Sequence, residues 1–134
     1  MKFLFYFALL LAVMCASLHA VEPDCDVPRL LVAIAAKEQH GEGNEYGIRA
    51  DVWRQQMRGW PYYLAASEPG MARQCAVKHI NWLAHELSKA GYPPSVYCIA
   101  AAWHSGLKGY IALAKAGRES EYGRDVANLY GTTQ

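Results

Sequence analysis

A run of small and apolar residues from Ser95 to Trp103 constrains the fold more than any other segment of the chain. The run reads Ser-Val-Tyr-Cys-Ile-Ala-Ala-Ala-Trp, follows a Pro-Pro pair and carries no charge. A helix that is apolar nearly all round has no face to present to water, so it lies buried at the centre of its domain. The rest of the chain must therefore supply the elements that surround it.

The surrounding segments have the periodicity of helices. A helix is predicted over about residues 71–90, with polar side chains opposite an apolar stripe at helical spacing. The stripe consists of Ala72, Ala76, Ile80, Leu83 and Leu87. Shorter helices are predicted over about 27–39, 51–58, 107–116 and 120–130, and an aromatic-rich loop over 59–70. No segment alternates as a strand does, so the sequence predicts an all-α fold.

The first predicted helix ends at a carboxylate. Asp26 is suited to cap its start, and Pro28 suits its first turn. Leu30, Ile34 and Glu38 follow one another at i, i+4 and i+8, so they share one helix face. A general acid must keep its proton near neutral pH, and apolar surroundings favour the protonated form. Glu38 is therefore the candidate acid.

The first twenty residues have the pattern of a secretory signal. Lys2 is followed by an apolar run and then by small residues up to Ala20. We predict cleavage after Ala20, with Ala16 as the alternative, leaving one domain over residues 21–134 in the periplasm or outside the cell. Twelve basic and twelve acidic residues then remain without a basic tract, which argues against nucleic acid as a partner. No later apolar stretch is long enough to span a membrane.

Three cysteines fall within residues 21–134. An exported chain can keep disulfides, and Cys75 and Cys98 both lie on predicted helices, so Cys75–Cys98 is the preferred pair. Cys25 could instead bridge to either. An odd count leaves one thiol over, which permits a covalent dimer and leaves the oligomeric state open.

Several short motifs stand after Glu38 in an order that resembles a known superfamily. Tyr46-Gly47-Ile48 comes first, Ala101-Ala102-Trp103-His104-Ser105-Gly106 ends the apolar helix, and Tyr122-Gly-Arg-Asp-Val126 lies near the C-terminus. Together they resemble the lysozyme-like superfamily, specifically the lytic transglycosylases and goose-type lysozymes, over residues 30–130. The resemblance implies a small lysozyme-like helical domain with a substrate cleft.

The resemblance also implies an activity, which is cleavage of the glycan strands of peptidoglycan. In lytic transglycosylases a lone Glu protonates the leaving oxygen. It then acts as base on the sugar's own C6 hydroxyl, giving a 1,6-anhydro product without any cofactor. Glu38 would take both roles. A lysozyme-type hydrolase would need a second carboxylate, for which Glu42, Glu45 and Asp51 are candidates.

The motifs of the resemblance imply a set of cleft residues. The implied substrate-binding residues are Tyr46, Ile48, Trp103, His104 and Tyr122. The Tyr122 hydroxyl could orient Glu38 or the glycan, whereas Trp103 also continues an apolar stripe and could be core. The histidines predict no metal site, because none has His-Glu-x-x-His spacing.

The chain departs from the family pattern inside the expected cleft. Gln39 follows Glu38 where a Ser is usual, and His104 stands where Asn is usual. Arg49 and Ala50 follow Ile48 where the family often has Met-Gln. These departures motivate a second hypothesis, a non-catalytic module of the same fold that holds glycan without cutting it. A third is a small exported structural or inhibitor protein.

Overall fold

The computed structural model describes residues 21–39 and 43–132, which are mostly helical. Their seven helices are α1 Val27–Lys37, α2 Ala50–Gln56, α3 Leu64–Ser67, α4 Pro69–Lys89, α5 Val96–Ser105, α6 Leu107–Lys115 and α7 Glu121–Thr132. The β structure of these residues is one isolated parallel bridge between Asp24 and Ser95. The predicted all-α fold is confirmed. The predicted signal over residues 1–20 and the carboxylate of Glu42 lie outside the described residues.

Helix α5 lies at the centre, as its apolar sequence predicts. All six residues from Cys98 to Trp103 are buried. The side chain of Ser95 caps the helix by accepting a 3.2 Å hydrogen bond from the backbone N–H of Cys98. Helices α4, α6 and α7 all pack against α5. The helix therefore forms the core around which the rest of the chain is arranged.

Helix α7 packs closely on α5 because a glycine stands at the contact. A Cβ atom on Gly123 would lie 3.0 Å from the backbone oxygen of Tyr97 and 3.1 Å from the Cβ of Ala101. The start of α7 is held in the same place, since the Tyr97 hydroxyl accepts a 2.8 Å hydrogen bond from the N–H of Ser120. The last helix is thus placed on the core within narrow limits.

Helix α4 carries the predicted apolar stripe on its buried side. All five stripe residues are buried, and the opposite side chains at positions 74, 78, 81, 85 and 89 are exposed. The helix begins at Pro69 rather than at 71, because proline suits the first turn of a helix. The prediction of a loop over 59–70 was therefore wrong in its second half, which also contains α3. No described helix has the length and apolar character needed to cross a membrane.

Helix α1 begins as predicted and ends earlier. Asp26 caps it by accepting a 3.2 Å hydrogen bond from the N–H of Arg29, which confirms the predicted cap. The last helical residue is Lys37, and Glu38 is the C-cap, with its N–H donating to the oxygen of Ile34 at 2.9 Å. Glu38 therefore stands at the point where the chain leaves the helix.

The predicted disulfide between Cys75 and Cys98 was wrong. Both thiols are free, as is that of Cys25. The Cys98 sulfur lies 3.1 Å from the hydroxyl of Tyr110, so its polar partner comes from α6. Cys75 is fully buried among the apolar side chains of the core. Both cysteines behave as small core residues.

Candidate active site

Glu38 is held by a hydrogen bond from the last helix. The hydroxyl of Tyr122 donates a short hydrogen bond of 2.6 Å to Glu38 Oε1. Tyr122 is only 8% exposed, and its pKa is raised above the usual range, first by burial and then by this hydrogen bond. The tyrosine therefore keeps its proton and acts as a donor that orients a half-buried carboxyl group.

The other carboxyl oxygen of Glu38 faces a glycine. A Cβ on Gly47 would lie 2.6 Å from Glu38 Oε2 and 2.7 Å from Cδ, which is closer than real Cβ contacts come. Gly47 also has a φ of +61°, a conformation that other residues rarely adopt. Sequence reasoning assigned no role to Gly47, although its place inside the Tyr-Gly-Ile motif was the available signal. The backbone of this turn thus forms one wall beside the carboxyl group.

The turn that carries Gly47 is braced on both sides. The amide side chain of Asn44 accepts a 2.7 Å hydrogen bond from the N–H of Ile48 and donates a 2.9 Å hydrogen bond to its oxygen. The same Ile48 oxygen accepts a hydrogen bond from the hydroxyl of Tyr62. Tyr62 belongs to the aromatic segment, so that segment helps to fix the turn against which Glu38 rests.

Three of the predicted cleft residues are buried supports of the turn. Tyr46, Ile48 and Trp103 all belong to the hydrophobic core, and the indole N–H of Trp103 donates to the oxygen of Tyr46 at 3.3 Å. The structure places them around the turn that meets Glu38, so they shape the site through its backbone. The core alternative for Trp103 agrees with its burial.

His104 is the exposed member of the predicted set. It is the second-to-last residue of α5, and its ring stacks on that of Tyr122 with centroids 4.5 Å apart and planes within 8°. This stacking was not predicted. It covers one face of the tyrosine and leaves an imidazole open to a ligand beside Glu38.

The cation next to Glu38 is engaged elsewhere. Lys37 Nζ lies 2.7 Å from Asp125 Oδ2, and this pairing raises the pKa of Lys37 and lowers that of Asp125. Lys37 is therefore occupied by Asp125. Among the described residues, the polar partner of the Glu38 carboxyl group is Tyr122.

The described candidates for a second carboxylate are exposed and do not contact Glu38. Asp51 lies 3.4 Å from Arg49, and Glu45 is exposed within the turn. No group of three or more His, Cys, Asp or Glu side chains among residues 21–39 and 43–132 is placed to hold a metal ion. The site in this part of the chain is thus built on one carboxyl group.

A groove of about 470 Å³ is lined by residues that adjoin predicted site residues in the sequence. Its lining includes Arg49, which follows Ile48, and Ser105 and Gly106, which follow His104. It is large enough for part of an oligosaccharide, since ligand sites commonly enclose about 300–1,000 Å³.

His79 is buried and also lines this groove. The sequence did not single it out as a cleft residue. His79 is 5% exposed and lies between Trp82, with ring centroids 5.5 Å apart, and Trp103, at 5.3 Å. Burial lowers its pKa from 6.5 to about 4, with a smaller effect from Arg49. His79 is therefore neutral at pH 7 and serves as a flat aromatic wall.

Comparison of the chain with protein-family models, with curated proteins and with solved structures found no match. Function is therefore argued from the arrangement of the site and from the motifs in the sequence. The deciding arrangement is a single half-buried carboxyl group, bonded to Tyr122 and resting on Gly47, at the end of a helix.

Proposed function

We propose that the protein cleaves the glycan strands of peptidoglycan outside the cytoplasm, with Glu38 acting first as acid and then as base. The observation that carries the proposal is the 2.6 Å hydrogen bond from Tyr122 to Glu38 Oε1, with Gly47 against the other side of the carboxyl group. A general acid must be held in one orientation to deliver its proton. These contacts restrict the Glu38 carboxyl group to a single orientation.

The reaction begins with proton transfer to the glycosidic oxygen. Protonated Glu38 gives its proton to that oxygen as the bond to the anomeric carbon breaks, and positive charge develops on the sugar ring. The resulting Glu38 carboxylate keeps the hydrogen bond from Tyr122, which stabilises the negative charge it has acquired. The alcohol of the leaving sugar then departs.

The carboxylate completes the reaction as a base. It takes the proton of the C6 hydroxyl of the same sugar, and that oxygen bonds to the anomeric carbon to form a 1,6-anhydro ring. Glu38 is thereby protonated again. This route needs no second carboxylate, and the described candidates for one, Glu45 and Asp51, are exposed, with Asp51 paired to Arg49.

The distinguishing experiment is to incubate residues 21–134 with insoluble peptidoglycan and weigh the soluble fragments by mass spectrometry. Fragments one water lighter than their reducing-end counterparts are expected, because the anhydro ring forms without water. Reducing-end fragments would instead show a lysozyme-type hydrolase. Protein bound to the pellet without soluble fragments would show a binding module. If the protein neither bound the pellet nor released fragments, the proposal would be excluded. The Glu38→Gln protein serves as the inactive control. The Glu45→Gln protein controls for the loss of a carboxylate in the adjoining turn.

A further inference from the structure

A second groove, of about 780 Å³, is lined by the end of α2, the segment that follows it and the first half of α4. None of its lining residues is among those that contact Glu38. Met57 and Met71 contribute apolar surface to it, and three glutamines contribute amide groups. The groove is therefore both polar and apolar, and it adjoins the first groove at Gln55, which lines both.

An exposed indole stands at this groove. Trp60 is 57% exposed, although its backbone is fixed by a 3.1 Å hydrogen bond from its N–H to the oxygen of Met57. Its own oxygen accepts a 2.8 Å hydrogen bond from the indole of buried Trp53. The ring is thus presented to solvent from a rigid support. Burying a large aromatic ring is favourable, and a ring left in contact with water does not make that contribution to stability. Such exposed aromatic surface marks binding sites.

The groups beside Trp60 suit a sugar. A pyranose ring has an apolar face that stacks on an aromatic ring, and hydroxyls that both donate and accept hydrogen bonds. The amide of glutamine likewise offers both a donor and an acceptor. Gln55 and Gln74 are exposed and their side-chain amides make no hydrogen bond to other described residues, whereas the amide of Gln56 is engaged with His79 at 3.4 Å. Two amides are therefore available to hydroxyls next to the indole.

The charge of the groove is positive. Arg58 and Lys78 both line it, and no Asp or Glu does so. Both side chains are exposed, and neither forms an ion pair within the described part of the chain. A ligand that brings carboxylates would find these two cations unopposed.

We infer that this groove is a second glycan-binding site, which takes oligosaccharides bearing carboxylates by stacking a sugar on Trp60. Gln55 and Gln74 bind sugar hydroxyls, and Arg58 and Lys78 bind the carboxylates. The site goes beyond the proposed cleavage, because it needs no chemistry at Glu38. It would hold a long glycan on groups that do not contact Glu38.

The test uses residues 21–134 carrying Glu38→Gln, so that no probe is cleaved. Two GlcNAc-containing hexasaccharides serve as probes in isothermal titration: hyaluronan, which carries carboxylates, and chitin, which is neutral. We expect saturable binding that is tighter for hyaluronan and that weakens with added salt, because the two cations are exposed. Adding Trp60→Ala should weaken binding about tenfold, since tryptophan anchors commonly carry that share of affinity. Gln74→Ala should weaken it less.

Tyr63→Ala is the matched control, because Tyr63 is 70% exposed in the same segment and does not line the groove. Equal affinities of the Trp60→Ala and Tyr63→Ala proteins would overturn the inference, as would equal affinity for the two hexasaccharides or no saturable binding. Circular dichroism confirms that each variant is folded. Binding that depends on Trp60 would support the second site even if the unsubstituted protein released no fragments from peptidoglycan, so the two proposals can fail separately.

Discussion

The hydroxyl of Tyr122 and the carboxyl group of Glu38 are joined by a 2.6 Å hydrogen bond across 84 positions of sequence. The bond connects the C-cap residue of α1 to α7. Gly47 and His104 complete the arrangement, one against the carboxyl group and the other on the tyrosine ring. Each of these contacts has a separate role in the site.

Replacing Glu38 by Gln should abolish glycan cleavage, with a fall in rate of about a hundredfold or more. An amide cannot deliver the proton, although it has nearly the same shape and can still accept the hydrogen bond from Tyr122. The unfolding midpoint in urea should change little. Fragment release is the measurement, and Glu45→Gln, in the adjoining turn, should leave the rate unchanged. Release by the Glu38→Gln protein equal to that of the unsubstituted protein would exclude Glu38 as the acid.

Replacing Tyr122 by Phe should lower kcat about tenfold to a hundredfold with little change in KM. The variant loses one hydrogen bond to a charged group, worth about 1.5–3 kcal/mol, and keeps the ring on which His104 stacks. The control is Tyr130→Phe on the same helix, which removes a hydroxyl that accepts from the N–H of Asp26. If both variants lowered kcat alike, Tyr122 would have only a structural role.

Replacing Gly47 by Ala should destabilise the fold and remove activity together. The new Cβ would lie 2.6 Å from Glu38 Oε2, so the carboxyl group must move. Gly117→Ala is the control, because Gly117 has a similar φ of +68° with nothing within 4 Å of the added Cβ. It should lose about 1–2 kcal/mol of unfolding free energy from backbone strain and keep its activity. A fully active Gly47→Ala protein would contradict this contact.

Stability should fall in acid because of His79. Its pKa is lowered from 6.5 to about 4, so the unfolded chain binds the proton before the native protein does. The contribution of His79 to the unfolding free energy is complete above pH 6.5 and declines as the pH falls towards 4, by up to about 3 kcal/mol. Urea unfolding across this pH range measures the decline. His79→Phe should flatten it, and His85→Gln, an exposed position on the same helix, should not.

Reductant should leave the unfolding free energy of residues 21–134 unchanged, because Cys25, Cys75 and Cys98 form no disulfide. Burial raises the pKa of both Cys25 and Cys75 to about 11, aided at Cys25 by Asp24 and Asp26, so both remain protonated and react slowly. Three thiols should titrate in denaturant. A lower count with a stability that depends on reductant would show that a bridge forms.

Much of the fold could be predicted because local signals and burial agree. Asp26 caps α1, the stripe of α4 is buried, and the uncharged run of α5 forms the core, each as its own pattern of side chains requires. Helix ends were less accurate. Glu38 continues the spacing of Leu30 and Ile34 but lies just outside the helix, because the apolar period does not mark where a helix ends.

The site was only partly predictable, because its decisive contacts join distant segments. The motifs bring Glu38, His104 and Tyr122 together. Their spacing in the sequence does not reveal that the Tyr122 ring lies under His104, or that Gly47 touches the carboxyl group. The disulfide prediction failed for a related reason, since helical position does not specify which neighbour a thiol meets.

The close contact at Gly123 has a consequence for the order in which the protein matures. Tyr122 precedes this glycine, so its hydroxyl reaches Glu38 only when α7 has settled on α5. A growing chain that has released α1 to α6 from the ribosome therefore holds the Glu38 carboxyl group without its partner. The contact waits until α7 has been synthesised, and a chain that stops before α7 would lack it.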